Sequence, residues 1–428
     1  MTSPYNLVIV IPTRNRSDLA VNAIRSVLRQ RQDPISVVVS DNSTDHEEVC
    51  SLQRFCNQLS HPRLLYVRPP EPLPMSEHWE WALGQAMQIC PASHYTFLTD
   101  RMVFKSDTLS KLLSIIQLYP QAVVSYNHDR VNDYDRPIRL EQAHWTGEIV
   151  ELTSRQLLTM AAQMKFHVAL PRMLNCIVPR FVFDRIYERF GNVFISISPD
   201  FCFTFRCLAV LESILYYDRS VLLHYALRRS NGESHAKGIM SKDSVDFLNG
   251  LGATPPSFAS PVPEFRTVGN SIVHEYCAVR NEVGDSTYPA INFSTYLQFT
   301  ALEVEQLQHP QLRVDMRALL EFHGWRPSTD TNNGMDHPAY GQRAQVLLRK
   351  LRSPRPFLNR ARLLISPSLM LTLDRFLGNY SAQQPAIFFQ TAEQAMHFTY
   401  RYPSKPYTST EYMSFLLGNG GRVIDSLI

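Results

Sequence analysis

Leu7-Val-Ile-Val-Ile11 runs straight into Pro12-Thr-Arg-Asn-Arg16, and Ile35-Ser-Val-Val-Val-Ser40 empties in the same way into Asp41-Asn-Ser-Thr-Asp45. Each apolar run has the length of a buried strand. Between them, Ser17 to Gln30 places Leu19, Ala20, Ala23, Ile24, Val27 and Leu28 on one helical face, with Ser17 as the expected N-cap. A strand–helix–strand unit crosses over right-handedly, so its two strands lie parallel and end at the same edge. Ligands of open α/β sheets bind at that edge. Pro12 stops the first strand, Thr13 offers a hydroxyl, Arg14 and Arg16 offer cations, and Asp41 and Asp45 offer carboxylates. That set suits a nucleotide, with carboxylates facing base N–H groups and ribose hydroxyls and a guanidinium facing phosphate.

A dinucleotide fold would place Gly-x-Gly-x-x-Gly after the first strand, where pyrophosphate needs bare backbone at a helix N-terminus. Here the place reads Thr13-Arg-Asn-Arg16, and the first glycine is Gly84. A Gly-x-x-x-x-Gly-Lys-Ser/Thr loop is absent as well. Side-chain cations or a metal must therefore hold any phosphate.

Taken together, Ile9-Val-Ile-Pro-Thr-Arg-Asn-Arg16 and Val37-Val-Val-Ser-Asp-Asn-Ser-Thr-Asp45 resemble the nucleotide-binding opening of family 2 glycosyltransferases of the GT-A fold. The resemblance covers roughly the first half of the chain and does not extend beyond about Gly238. It implies an inverting transfer of a sugar from a nucleoside-diphosphate donor to a hydroxyl acceptor, a glycan, a lipid-linked sugar or a protein, in glycan or polysaccharide biosynthesis. By the same resemblance Pro12, Thr13, Arg14, Arg16, Asp41, Asp45 and Asp100 hold the donor nucleotide. Asp200, in Ser198-Pro-Asp-Phe201, matches the family's acidic catalytic residue.

The family's Asp-x-Asp, which holds Mg²⁺ or Mn²⁺ against the donor's phosphates, is incomplete: the chain reads Phe97-Leu-Thr-Asp100-Arg-Met102. Only Asp100 remains as a metal ligand. Methionine's thioether is a poor ligand for a hard cation, and the adjacent arginine repels one. Metal dependence is disfavoured, and Arg101 is the expected substitute for the metal's charge, with Asp100 orienting it or holding a ribose hydroxyl. Arg228, Arg229, His235 and Lys237, on a polar loop with Gly232 and Gly238, are further phosphate-stabilising candidates. Two alternatives stay open. One is a non-catalytic nucleotide-sugar-binding or scaffold protein, motivated by the broken motif. The other is a sugar nucleotidyltransferase, ranked last because its glycine-rich basic loop is missing.

Farther along, alternating patterns predict strands at Leu64–Val67, His94–Leu98 and Val123–Tyr126 and helices from Ser76, which caps the first of them, and from Asp107. The fold class is α/β: a doubly wound, mostly parallel sheet, GT-A-like, followed by a mainly helical C-terminal region. From Asp129 to Pro179 the pattern loosens into an expected acceptor-side insertion, where Asp129, Asp133 and Asp135 form an acidic patch, read as solvated loop acids with a sugar or acceptor subsite as the alternative. Helices are expected at Arg180–Phe190 and Asp200–Glu212, and two short strands at Leu215–Tyr217 and Val221–Tyr225. Thr254-Pro-Pro-Ser-Phe-Ala-Ser-Pro-Val-Pro263 is a connector. The expected domains are therefore a catalytic body over 1–240 and a C-terminal region over 262–428, with helices at Val268–Val283, Tyr296–Leu307, Arg313–Phe322 and Gln342–Leu351.

A net charge of +3, from 42 basic and 39 acidic residues, is too balanced for a protein whose main partner is nucleic acid. The seven cysteines form no Cys-x-x-Cys pair, so neither a zinc site nor a disulfide framework follows. The first apolar run is too short for a signal-peptide core, and the apolar stretch from Cys207 to Leu223 carries Glu212, Asp218 and Arg219. A cytoplasmic protein without a transmembrane segment is expected, with peripheral contact at the inner face of the membrane left open.

Overall fold

The computed structural model describes residues 6–30, 35–134, 137–194, 197–236, 258–284, 288–326, 387–401, 406, 410–418 and 420–426. The first half begins β1 (Leu7–Thr13), α1 (Ser17–Leu28), β2 (Ile35–Asp41), α2 (His46–Leu59), β3 (Leu64–Val67), α3 (Met75–Ile89) and β4 (His94–Phe97). In β1 the odd residues Leu7, Ile9 and Ile11 join one buried cluster with Ala20, Ala23 and Ile24 of α1. The even residues Val8 and Val10 join another with Trp79, Ala82 and Leu83 of α3. Both strand faces are thus covered, as a parallel strand requires, and each fully buried aliphatic side chain contributes about 1.5–3 kcal/mol. β3, β2, β1 and β4 pair in that order and all in parallel.

Next come β5 (Met102–Phe104), α4 (Thr108–Leu118), β6 (Val124–Asn132), β7 (Ile138–Glu141), β8 (Glu148–Thr153), α5 (Ser154–Ala162) and β9 (Cys176–Pro179). These are followed by α6 (Arg180–Phe190), α7 (Pro199–Val210), β10 (Ser213–His224), a 3₁₀ turn at Leu227–Arg229 and α8 (Asn231–Ala236). The rest comprises α9 (Val268–Val283), α10 (Phe293–Val304), α11 (Pro310–Phe322), β11 (Ile387–Phe389), α12 (Ala392–Arg401), α13 (Thr410–Leu417) and β12 (Arg422–Ser426). The main path of the sheet is β12-β8-β10-β6-β9-β4-β1-β2-β3. Beyond β4 it becomes mixed: β9 is antiparallel to both β4 and β6, and β10 is parallel to β6.

Several expectations are corrected. The stretch from Asp129 to Pro179 is sheet rather than insertion, because β6 continues to Asn132 and β7, β8 and β9 all pair within it. The two strands expected at Leu215–Tyr217 and Val221–Tyr225 are one strand, β10, which carries Asp218 and Arg219 across a register shift. α1 is capped at Arg16, and the Ser17 N–H donates to Glu48 Oε2 at 2.7 Å. α3 starts at Met75 with Pro74 before it, so Ser76 is inside the helix. The polar loop from Arg228 is, as far as it is described, the 3₁₀ turn and α8. Lys237, Gly238, Asp135 and the helix expected at 342–351 lie outside the described residues.

α9 to α11 match the helical expectation for the C-terminal region, but that region also returns to the first sheet. β11 pairs with β7 and β12 with β8. Tyr412 on α13 donates its hydroxyl to the buried Asp218 at 2.7 Å, which also accepts the Thr146 N–H and hydroxyl. Among the described residues no helix is long and apolar enough to cross a membrane.

Candidate active site

The parallel register sets Thr13 beside Asp41, and the turn after β4 brings Asp100 to the same edge. Thr13 Oγ1 donates to Asp100 Oδ2 at 3.0 Å, and Arg16 Nη1 lies 3.6 Å from Asp100 Oδ1. Thr13, Arg16 and Asp100 therefore meet. Asp41 is fully buried and its two oxygens accept from the Ser43 N–H and the Tyr66 hydroxyl at 2.9 and 2.7 Å. Pro12 is buried within β1 opposite Ser40. Arg14 donates to the Leu73 carbonyl at 3.2 Å, which Asn42 Nδ2 also engages at 2.8 Å. Asp45 is exposed and caps α2, accepting the Glu47 N–H at 2.9 Å.

Sequence reasoning passed over Asn15, which holds the two loops together. It adopts φ +54°, a conformation asparagine tolerates better than other residues with side chains. From there its Oδ1 accepts the Thr44 and Asp45 N–H groups at 2.9 and 3.0 Å. An asparagine directly after a Pro-Thr-Arg strand end was the available signal.

Asp100 is the one carboxylate of the incomplete Asp-x-Asp, and its neighbours are cationic. Its oxygens face a hydroxyl proton and a guanidinium, and Arg101 follows it in sequence. Among the described residues no group of three or more His, Cys, Asp and Glu side chains is arranged to hold a metal ion.

Across from this edge stands a set of basic residues drawn from several elements. Arg101 Nη1 lies 2.6 Å from His224 Nε2 at the end of β10. The His224 ring stands 5.9 Å from that of His128 on β6, edge to face. In register, His224 sits opposite Arg130. Burial, reinforced by Arg172 and Arg130, pushes His128 down to about 3. Burial and the neighbouring cations hold His224 well below its ordinary value, so both rings are neutral. Burial, together with Arg16, lowers Arg101 to about 10, with Asp100 and Glu233 opposing.

Asp200 sits in the first turn of α7, behind Pro199 at N1. Proline there presets the helical backbone and sacrifices no internal hydrogen bond. Burial raises the Asp200 carboxyl above the usual range, and Arg172 opposes that rise. The Arg172 guanidinium lies 5.7 Å from the centre of the Phe201 ring, next to Asp200, and its charge also lowers His128 and His224.

Three other expectations resolve differently. Asp129 is no solvated loop acid: it is fully buried and takes Lys105 Nζ, the Ser220 hydroxyl and the Ala143 N–H at 2.6, 2.6 and 2.9 Å. Arg229 bonds Asp18 and the Asn15 carbonyl, while Arg228 bonds Asp133 and the Tyr134 carbonyl. They fasten the α8 segment to the body. His235 is placed by its backbone in α8.

The sequence model of glycosyl transferase family 2 matches residues 8–185. No curated protein matches the chain. Among solved structures, the crystal structure of S. aureus TarS aligns at 14% identity and a TM-score of 0.42, over 74% of this chain and 55% of that one. This chain thus spans little more than half the length of that protein. A crystal structure of S. aureus TarS 1–349 in complex with UDP-GlcNAc aligns at 14% identity and a TM-score of 0.43, over 77% and 95%. The stretch that the family model matches runs from β1 into α6 and carries Thr13, Asp41, Asp100 and the basic residues of β6.

Proposed function

We propose that this protein transfers a sugar from a nucleoside-diphosphate donor to a hydroxyl acceptor with inversion, Asp200 acting as the base. The observation that carries this reading is a half-buried carboxylate of raised proton affinity, Asp200, held in the first turn of α7 beside Phe201, over whose ring the Arg172 guanidinium lies at 5.7 Å. A raised carboxyl approaches the operating pH, where general-base catalysis is most effective. The acceptor O–H gives its proton to Asp200 while its oxygen bonds to the anomeric carbon. The bond from that carbon to the diphosphate breaks, and its electron pair leaves on the phosphate oxygen. Arg101 faces that developing charge, the group that fixed donors stabilise best. Thr13, Arg16 and Asp100 hold the ribose end, and Arg14, Asp41 and Asp45 complete the nucleoside side.

The test is a thermal-shift screen of nucleoside diphosphates and their sugars, because a ligand at 100 times its dissociation constant adds about 2.7 kcal/mol of stability. A donor identified this way should release its nucleoside diphosphate when an acceptor is present. Stabilisation by nucleoside triphosphate and sugar phosphate, with pyrophosphate released, would instead restore nucleotidyl transfer.

A further inference from the structure

Arginine only donates hydrogen bonds, so the 2.6 Å contact makes His224 Nε2 the acceptor and places its proton on Nδ1. The ring then adds no charge and fixes the direction of Arg101. Four guanidinium groups, those of Arg16, Arg101, Arg130 and Arg172, are set among three carboxylates: Arg16 lies 3.6 Å from Asp100, Arg130 pairs with Glu233, and Arg172 lies over the ring of Phe201, the neighbour of Asp200. Two of the carboxylates are anchored by the sheet edge and α7. The third is different. Glu233 comes from the six-residue α8 and accepts from Arg130 Nη2 at 2.5 Å, and its charge also acts on Arg101. Nε of Arg101 and Nε of Arg130 are buried and have no hydrogen-bond partner among the described residues. The segment is also tied to the body by Arg228 with Asp133 and Tyr134, Arg229 with Asp18 and Asn15, and Ser234 with Tyr134.

We propose that Arg101, Arg130 and Arg172, aligned by His128 and His224, form a diphosphate site that needs no metal ion, and that Glu233 occupies it as an internal carboxylate which a bound diphosphate displaces. Release of Glu233 leaves two unmatched positive charges, the complement of a dianionic diphosphate. The identity of the ligand as a donor's diphosphate rests on the transfer reading above; the anion site itself does not.

Calorimetric titration of inorganic pyrophosphate in EDTA tests the site. Pyrophosphate should bind without a divalent cation, and Arg130→Gln should weaken it about tenfold or more, as loss of a charge-assisted bond does. Glu233→Gln should tighten it about three- to tenfold, because a self-occupied site shows its intrinsic dissociation constant divided by the open fraction. Glu233→Gln keeps every cation, so its outcome stands even where Arg130→Gln fails to fold. Binding that appears only with Mg²⁺ or Mn²⁺, or unchanged or weaker binding by Glu233→Gln, overturns the proposal. Metal-free pyrophosphate binding, with no nucleoside diphosphate or nucleotide sugar binding more tightly, keeps the anion site and removes the transfer reading. Sugar transfer that stops in EDTA and returns with Mn²⁺ does the reverse.

Discussion

The two sides of the strand edge are built on opposite principles. On the parallel side the carboxylates are satisfied by the protein: Asp41 by Ser43 and Tyr66, Asp100 by Thr13 and Arg16, Asp45 by the α2 backbone. On the basic side cations crowd together with few carboxylates between them, two histidines stay neutral, and Nε of Arg101 and Nε of Arg130, like Nε of Arg14 across the edge, have no hydrogen-bond partner among the described residues. A satisfied side defines shape, whereas a frustrated one stores affinity for an anion, since an unpaired buried polar group is costly until a ligand meets it. On the proposed transfer reading, chemistry belongs to the basic side and positioning to the parallel side.

The hardest test of that division is Asp200→Asn. Sugar transfer should fall about 10²–10⁴-fold, the usual worth of a general base, with donor affinity within about threefold of the parent, since Asp200 is assigned to acceptor chemistry and not to the donor. The pH profile carries the same information. Asp200 works deprotonated and its carboxyl is raised by burial, so kcat/KM should fall as pH drops through a value above the ordinary carboxylate range, and this limb should be missing from Asp200→Asn. A limb at or below the ordinary range, or one retained in the variant, removes Asp200 from the base role.

Behind the basic side, the buried Lys105–Asp129 pair ties the β5–α4 turn to β6 and β10. Asp129→Ala should cost about 3–5 kcal/mol of unfolding free energy in urea, because it strands a buried ammonium. A loss below 1 kcal/mol would mean that water reaches Lys105 and that Asp129 is free for a ligand, as the acidic-patch reading had it.

The sequence displays the parallel side almost whole. Strand, turn and helix there are contiguous, and each apolar run is buried on both faces, so periodicity and strand-end residues lie together in the text. The basic side is scattered. His128 and Arg130 sit in a strand that continues past its apolar half, Arg172 in a connector, and His224 at the far end of β10. Asp218 and Arg219 looked like a break between two strands; Asp218 is in fact buried within one, satisfied by Thr146 and by Tyr412 from a distant helix. Antiparallel strands with one charged face, such as Ile138-Arg-Leu-Glu141, resemble loops over four residues. The return of β11 and β12 to the sheet depends on pairing at a distance that local pattern does not encode. Asp100, in the turn after β4, and Asp200, in the first turn of α7, were singled out by the family resemblance rather than by local pattern.

Tyr66→Phe probes the parallel side with a smaller expected effect. The Tyr66 hydroxyl donates to Asp41, and a hydrogen bond to a charged group contributes about 1.5–3 kcal/mol. Unfolding should become easier by that amount while pyrophosphate binding stays unchanged. A loss of pyrophosphate affinity would join Asp41 to the phosphate machinery and erase the division between the two sides.

Asp45→Ala should have the smallest effect and is the most discriminating for the nucleoside side. As the α2 cap it accepts the Glu47 N–H, and its replacement should cost about 1 kcal/mol. Asp45 is exposed and Asn15 binds its backbone N–H rather than its carboxylate. The loop should therefore keep its form in the variant, and stability and binding can be read separately. A 1 kcal/mol stability loss with donor affinity intact makes Asp45 a capping residue alone. A donor affinity falling tenfold, against that small stability loss, places its carboxylate on the ribose or base as the family resemblance implies, so that one exposed residue would serve both the helix and the ligand.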